Sequence, residues 1–150
     1  MRRTRWRGAA DRIHAWIEEH GWDEDLGAYI RAPELRELDA SILTLPIVDY
    51  EADPRRLNST IDLVRHRLGA GPLLYRYLGK DGVPGGQGAF TTCSFWLADA
   101  LARLGRVEEA ATLMDELIPL ATDVGLFAEE IDPSSGEQLG NFPQGLVHLA

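Results

Sequence analysis

The stretch FWLADALARLGRVEEAATLMDELI, residues 95–118, has the clearest structural pattern in the sequence. Apolar side chains recur every three or four positions along both of its halves, and this spacing predicts two amphipathic helices. Only Gly105 and Arg106 separate the halves, and so short a connection allows only an antiparallel helical hairpin. The apolar positions are Phe95, Leu97, Leu101 and Leu104 in the first half, and Val107, Ala110, Ala111, Leu113, Met114, Leu117 and Ile118 in the second.

Two earlier segments have the same helical period. The later of them follows Asp53 and Pro54, residue types that favour the start of a helix. Strand signals are scarce by comparison, so the sequence predicts an all-α fold of helical hairpins joined by long loops. The periodic positions are Ile13, Trp16 and Ile17 in the first segment, and Leu57, Ile61, Val64 and Leu68 in the second.

The composition is that of one domain of ordinary size. The chain has 150 residues, of which 45% are hydrophobic, and this is enough for a core. A formal net charge of -9 disfavours nucleic acid as a partner, although Arg2, Arg3, Arg5 and Arg7 lie near the N-terminus. No apolar run is long enough to span a membrane, and none follows these arginines as in a secretory signal. We therefore expect no nucleic-acid partner and no membrane partner.

The one cysteine and the four histidines give little indication of a catalytic or metal site. The lone Cys93 falls in a helical run and is predicted to be a small buried side chain, with a catalytic nucleophile as the alternative. One cysteine cannot form an internal disulfide, which agrees with a cytoplasmic location. His14, His20, His66 and His148 show no metal-ligand spacing, so we expect neither a metal nor a cofactor.

The stretch GLFAEEIDPSSGEQLGNFPQ, residues 125–144, contains the candidate site. Leu126 and Phe127 precede Glu129 and Glu130, and such an apolar lead-in partly desolvates a following carboxylate, as in the environment of a general base. The turn formers at positions 132–136 would place both glutamates where a loop meets a cleft. A bare pair of glutamates is more commonly a solvated acidic loop, which is the interpretation for residues 18–19 and 108–109.

Two further stretches have features of a site. LYRYLGKDGVPGGQGAFTTCSFW, residues 74–96, contains glycines that form either a flexible connector or a close approach to a ligand. LDASILTLP, residues 38–46, opens an apolar helix, and Asp39 is predicted to cap it rather than to take part in catalysis. Pro46 is predicted to kink this helix or to end it early. The glycines are Gly82, Gly85, Gly86 and Gly88.

These three stretches, in this order, resemble glycoside hydrolase family 15, the glucoamylase-like hydrolases, which also include glucodextranases and some bacterial trehalases. The resemblance implies that Glu129 is the general base that activates the hydrolytic water and that Glu130 is a substrate-binding neighbour. It also implies that Arg76 bonds hydroxyls of the terminal glucosyl unit, which suits the planar fork of a guanidinium. Phe90 would line the same subsite, where fungal relatives have tryptophan. The residues that match the base segment are Ala128, Glu129, Glu130, Asp132, Gly136, Leu139, Gly140, Asn141, Phe142, Pro143 and Gln144.

The resemblance implies an inverting hydrolase of α-glucosidic bonds, acting on an α-glucoside or an oligosaccharide. Its fold would be part of an (α/α)6 barrel, the six-hairpin toroid, with residues 1–150 as the C-terminal portion of a glucoamylase-like catalytic domain. Family domains are much longer, and their general acid lies in an earlier Trp-Glu segment that has no counterpart here. We therefore expect an incomplete barrel that is inactive alone and needs the preceding part. The alternative is a non-catalytic helical module that binds sugar or another protein.

Two local questions stay open at the level of sequence. Asn141 and Gln144 either order the base segment through hydrogen bonds or simply form a turn. Tyr75 and Tyr77 flank Arg76, so one side chain is expected to pack while the other points into the cleft.

Overall fold

The computed structural model describes residues 2–79 and 88–150, without the side chains of Arg2 and Arg3. Gly82, Gly85 and Gly86 lie outside the described residues. The predicted helical character is confirmed within the described part. Its α-helices are α1 (Arg2–His20), α2 (Thr44–Ile47), α3 (Pro54–Leu68), α4 (Thr91–Arg103), α5 (Val107–Leu117) and α6 (Gly145–Leu149), with 3-10 helices at Ala40–Leu43 and Ile118–Leu120.

The hairpin of α4 and α5 is confirmed and forms the centre of the structure. Gly105 has φ +80, a conformation that glycine adopts without a Cβ penalty, and it reverses the chain between the two helices. The Arg106 N–H donates to the carbonyl of Leu101 at 2.9 Å, which closes the turn. Leu101 and Leu117 are fully buried where the two helices pack. The hairpin therefore supplies the apolar surface on which the other elements assemble.

The helix α3 packs on this hairpin through the predicted apolar stripe. Leu57, Ile61, Val64 and Leu68 are all buried, as the period of the sequence indicated. The preceding Asp53 caps the helix, because its carboxylate accepts the backbone N–H of Arg55 at 2.8 Å. Periodicity thus predicted both the helix and its buried face.

Asp39 and Pro46 have the structural roles predicted for them. The Asp39 carboxylate accepts the backbone N–H of Ser41 at 2.8 Å and caps the 3-10 helix that begins at Ala40. Pro46 lies within the four-residue helix α2, which ends at Ile47. Both residues therefore set the bounds of short helical segments.

Seven strands of two residues each complete the described fold. All of their pairings are antiparallel: β1 (Trp22–Asp23) with β2 (Ala28–Tyr29), β3 (Gly69–Ala70) with β4 (Leu73–Leu74), and β6 (Glu130–Ile131) with both β5 (Ala89–Phe90) and β7 (Gln138–Leu139). In the last sheet Glu130 lies opposite Phe90 on one side and Leu139 on the other. This sheet carries the candidate base segment.

Most of the apolar stripe of α1 faces solvent. Trp6, Ile13 and Trp16 are 72%, 60% and 51% exposed, whereas Ile17 is half-buried. The helix is attached by its polar face instead, since the Glu18 carboxylate accepts the hydroxyls of Tyr29 and Tyr50 at 2.7 and 3.0 Å. The period of the sequence therefore indicates the helix correctly, while its apolar face is not part of this core.

Among residues 2–79 and 88–150, no helix has both the length and the apolar character needed to cross a membrane.

Candidate active site

The base segment is a tight antiparallel hairpin. The Asp132 carboxylate accepts both the backbone N–H and the hydroxyl of Ser134 at 2.7 Å, and these bonds hold the pKa of Asp132 below its usual value. Gly136, at φ +74, donates its N–H to the Asp132 carbonyl at 2.8 Å. The predicted turn formers therefore close the β6–β7 hairpin and hold the two glutamates at its start.

Glu129 is hydrogen-bonded to Asn141, which follows the strand β7. Its Oε2 accepts the side-chain amide of Asn141 at 2.7 Å and the backbone N–H of Asn141 at 3.2 Å. The Glu129 N–H donates to the Asn141 carbonyl at 2.9 Å. Glu129 Oε1 has no hydrogen-bond partner among the described residues. The half-buried carboxylate thus keeps one oxygen for a ligand.

Glu130 is held from the other side of the sheet. Its Oε2 accepts the Gly88 N–H at 3.0 Å. A Cβ built on Gly88 would lie 2.8 Å from the Cβ of Glu130, so the backbone approaches as closely as only glycine permits. Gly88 thus packs against a side chain of the protein itself, and its approach to a ligand stays a prediction.

Two side chains and one backbone N–H brace the backbone around Glu129. The Gln138 amide accepts the Ala128 N–H and donates to the Leu120 carbonyl, both at 2.8 Å, so it ties the base segment to the end of the α4–α5 hairpin. The Phe127 N–H donates to His148 Nε2 at 3.2 Å. Gln144 donates its N–H to the Phe127 carbonyl at 3.0 Å. Asn141 and Gln144 therefore do order the segment through hydrogen bonds.

Sequence reasoning did not single out Gln138, although a glutamine after a Gly-Glu turn is visible in the motif. Its partners lie 10 and 18 residues away, and this tertiary arrangement has no local signal.

Arg76 lies beside Asp39. Its Nε is 3.6 Å from Asp39 Oδ1, and its carbonyl accepts the Ala40 N–H at 2.8 Å. The carboxylate of Asp39 is almost fully buried, whereas the guanidinium is half-exposed. No hydrogen bond in the described part of the structure involves the two Nη atoms of Arg76. Asp39 thus orients Arg76 and leaves the outer edge of its fork accessible.

The two tyrosines that flank Arg76 have different surroundings. Tyr75 is partly buried and packs against the hydrophobic core. The ring of Tyr77 lies 4.9 Å from the Arg31 guanidinium carbon and 5.8 Å from that of Arg76. Tyr75 is therefore the packing residue of the pair, and Tyr77 lies beside the guanidinium groups of Arg31 and Arg76.

The N-terminus of α4 connects these groups. Phe90 is the N-cap residue of α4, pairs with Glu130 across the sheet, and is half-buried. Cys93, in the first turn of α4, is fully buried, and burial together with the nearby charge of Asp39 raises the pKa of its thiol to about 12. The predicted buried Cys93 is thus confirmed, and such a thiol does not suit a nucleophile. Glu130 and Phe90 share one sheet, Glu129 directly precedes its strand β6, and Arg76 follows the strand β4 that contacts β5.

Among the described residues, no cluster of three or more histidine, cysteine, aspartate or glutamate side chains could hold a metal ion. What the arrangement offers is a carboxylate with one available oxygen, a guanidinium with accessible donors and an aromatic ring, held by three neighbouring segments. Side chains of these types can bind the hydroxyl groups of a neutral ligand.

Comparison with known proteins places the chain in a family. The model of glycosyl hydrolases family 15 matches residues 1–150. A trehalase of Mycobacterium tuberculosis is 40% identical over 149 residues, which cover 97% of this chain and 22% of the relative. A trehalase of Mycolicibacterium smegmatis is 37% identical with the same coverage, and one of Thermoplasma volcanium is 33% identical over 96% of this chain and 23% of its own length.

No solved structure gives a significant match. The chain spans about a quarter of the length of the curated relatives that it matches, 22–23% for the three above. Because the family model covers the sequence from its first residue to its last, the chain belongs to glycosyl hydrolase family 15.

Proposed function

We propose that this chain is the base-bearing, C-terminal portion of an inverting glycoside hydrolase that cleaves α-glucosidic bonds, with trehalose as the substrate. Membership of the family supports the reaction class. The relatives named trehalase support the substrate. The observation that carries the proposal is Glu129, a carboxylate bonded through Oε2 alone and held at the start of a hydrogen-bonded hairpin.

In this mechanism Glu129 removes a proton from a water molecule as that water attacks the anomeric carbon. An inverting enzyme needs a second carboxyl group about 6.5–9.5 Å away to protonate the departing oxygen. We assign that acid to a segment outside these 150 residues. The share of the relatives that the chain covers agrees with this division.

Arg76, Phe90 and Glu130 are proposed to bind the glucosyl unit. The Nη groups of Arg76 can donate to two adjacent sugar hydroxyls, and Asp39 holds the guanidinium in place for this. Phe90 offers a half-exposed ring for the apolar face of the sugar. Glu130 Oε1, unbonded among the described residues, can accept a hydroxyl proton.

The remaining helices of an (α/α)6 barrel are proposed to cover the exposed apolar side chains. Trp6, Ile13 and Trp16 would pack on one neighbouring hairpin. Phe142, Leu146 and Leu149, which are 51%, 47% and 86% exposed, would pack on another. Burial of such a stripe against neighbouring helices is what holds helical layers together.

The test is a hybrid trehalase, in which this chain replaces the 149 aligned residues of the Mycobacterium tuberculosis trehalase. We expect the hybrid to hydrolyse trehalose and Glu129→Gln to lower kcat by about 100- to 10,000-fold, the usual contribution of a general base. Glu108→Gln, on the exposed face of α5, is the matched control and should leave kcat unchanged. A folded hybrid that hydrolyses no trehalose, or that keeps its rate in Glu129→Gln, would contradict the proposal.

A second candidate is a non-catalytic helical module that binds sugar. It is favoured by one observation, the exposure of the indole rings of Trp6 and Trp16, since aromatic surfaces with a polar edge suit sugars and partner proteins. Calorimetry with trehalose on the 150-residue chain separates the two. Binding that Trp16→Ala abolishes, together with an inactive hybrid, would favour this second function.

A further inference from the structure

We infer that Asn141 is a positioning residue for Glu129. By binding Oε2 of that carboxylate, Asn141 leaves Oε1 as the oxygen that takes the proton from the water. The inference rests on the proposed role of Glu129 as the general base. It adds which oxygen of the glutamate reacts and which residue makes that choice.

The first argument is the concentration of donors on one oxygen. The Asn141 side-chain amide and the Asn141 backbone N–H both donate to Glu129 Oε2, at 2.7 and 3.2 Å. Two directional bonds fix the plane of the carboxylate and occupy Oε2. Oε1 then remains as the oxygen available to a reacting proton.

The second argument is that Asn141 and Glu129 are also locked together through the backbone. The Glu129 N–H donates to the Asn141 carbonyl at 2.9 Å, so the two residues face each other across the hairpin. Three hydrogen bonds thus join one pair of residues that lie 12 positions apart. A general base must be held within a few tenths of an ångström of its proton donor, and this arrangement supplies such restraint.

The third argument is that the arrangement is selective for Glu129. The neighbouring Glu130 receives a single backbone N–H, from Gly88, and no side-chain amide among the described residues. Asn141 is exposed and Glu129 is half-buried, and a hydrogen bond at such a position contributes little to folding. A residue placed there only for stability would therefore gain little, whereas one that orients a reacting carboxylate gains a catalytic effect.

The kinetic test uses Asn141→Asp in the hybrid trehalase. This isosteric change replaces the side-chain donor by a carboxylate that repels Glu129 Oε2, and it keeps the backbone N–H. We expect kcat to fall about 10- to 100-fold, the cost of a slightly misplaced catalytic group, with KM within about twofold and an unchanged melting temperature. The control is Asn58→Asp on α3. The Asn58 amide donates to the Pro54 carbonyl, away from the β6–β7 hairpin, and this change should leave kcat unchanged.

The outcomes separate this inference from the proposed function. An unchanged kcat in Asn141→Asp, in a hybrid that Glu129→Gln inactivates, overturns the role of Asn141 and leaves the base intact. A rise in KM with constant kcat, or a loss of rate that follows a loss of melting temperature, also overturns it, because these are the effects of a binding or a purely structural residue.

A second measurement does not depend on activity. In the 150-residue chain, the side-chain amide signals of Asn141 in proton–nitrogen NMR spectra should shift in Glu129→Gln, whereas those of Asn58 should not. If the chemical shifts of the Asn141 side-chain amide do not change in Glu129→Gln, the inference is overturned whether or not the hybrid is active. A clear shift, in a chain whose hybrid keeps full activity in Glu129→Gln, would support the contact and place the failure in the proposed function.

Discussion

Gly140 approaches Glu129 so closely that a Cβ at position 140 would lie 2.9 Å from Glu129 Oε2 and 3.1 Å from the Cβ of Glu129. The backbone of Gly140 also has φ +73, a conformation that residues with a side chain rarely adopt. The glutamate and the glycine therefore depend on each other, because any side chain at position 140 must displace the carboxylate.

We expect Gly140→Ala to lower kcat of the hybrid trehalase by about 100-fold, since it moves the general base. It should also lower the free energy of unfolding by about 1 kcal/mol or more through its positive φ. Gly136→Ala is the matched control, because Gly136 has φ +74 and a Cβ there would meet no neighbouring atom within 4 Å. Equal losses of kcat in both variants would show that strain alone, and not contact with Glu129, is responsible.

The role of Asp39 is tested by comparison with a second capping aspartate. Asp39 and Asp53 each accept a backbone N–H at 2.8 Å, but only Asp39 is buried and paired with Arg76. We expect Asp53→Ala to cost about 1 kcal/mol of unfolding free energy, the usual value for a cap, and Asp39→Ala to cost about 2 kcal/mol or more. Urea denaturation measures both values, and equal costs would mean that burial and Arg76 add nothing.

The sequence predicted the helices and missed most contacts of the site for a physical reason. The α4–α5 hairpin follows from a local period and from Gly105, and the structure agrees in both respects. Glu130 and Gly88, by contrast, are 42 positions apart, and their approach depends on the register of a three-stranded sheet. Strands of two residues have no period that a sequence can reveal.

The exposed face of α1 has a related explanation. A period of 3.6 shows that one side of a helix is apolar, but it does not say which surface covers that side. Ile61 on α3 and Ile13 on α1 both follow the period, and they are 2% and 60% exposed. Knowing which stripe enters this core required the tertiary structure.

The pH dependence of stability should show the contribution of Asp23. The Arg36 guanidinium, followed by the Leu26 N–H, lowers the pKa of Asp23 from 3.8 to about 2. A carboxyl group whose pKa is lower in the folded state stabilises the fold above its unfolded pKa, and this contribution disappears as the pH falls from about 4 to about 2. Asp23→Asn should therefore reduce stability most above about pH 5 and progressively less toward about pH 2.

Unfolding by urea at several pH values measures this difference. Asp25→Asn is the control, because Asp25 contacts the same arginine, with Arg36 Nη2 at 2.9 Å from its carboxylate, but is itself exposed. If the difference in unfolding free energy between the wild-type chain and Asp23→Asn stays constant from about pH 7 to about pH 2, the lowered pKa of Asp23 is contradicted.

The thiol of Cys93 should be protected from alkylation in the folded chain. Burial, and secondarily the charge of Asp39, raises its pKa from 9.0 to about 12, so at about pH 8 much less of this thiol is ionised than of an ordinary cysteine. We expect iodoacetamide to label it much more slowly in buffer than in urea, and Asp39→Asn to speed labelling by removing the adjacent negative charge. A native rate equal to the rate in urea would show that the first turn of α4 opens readily, and such mobility is incompatible with a fixed arrangement of Phe90 and Arg76 around it.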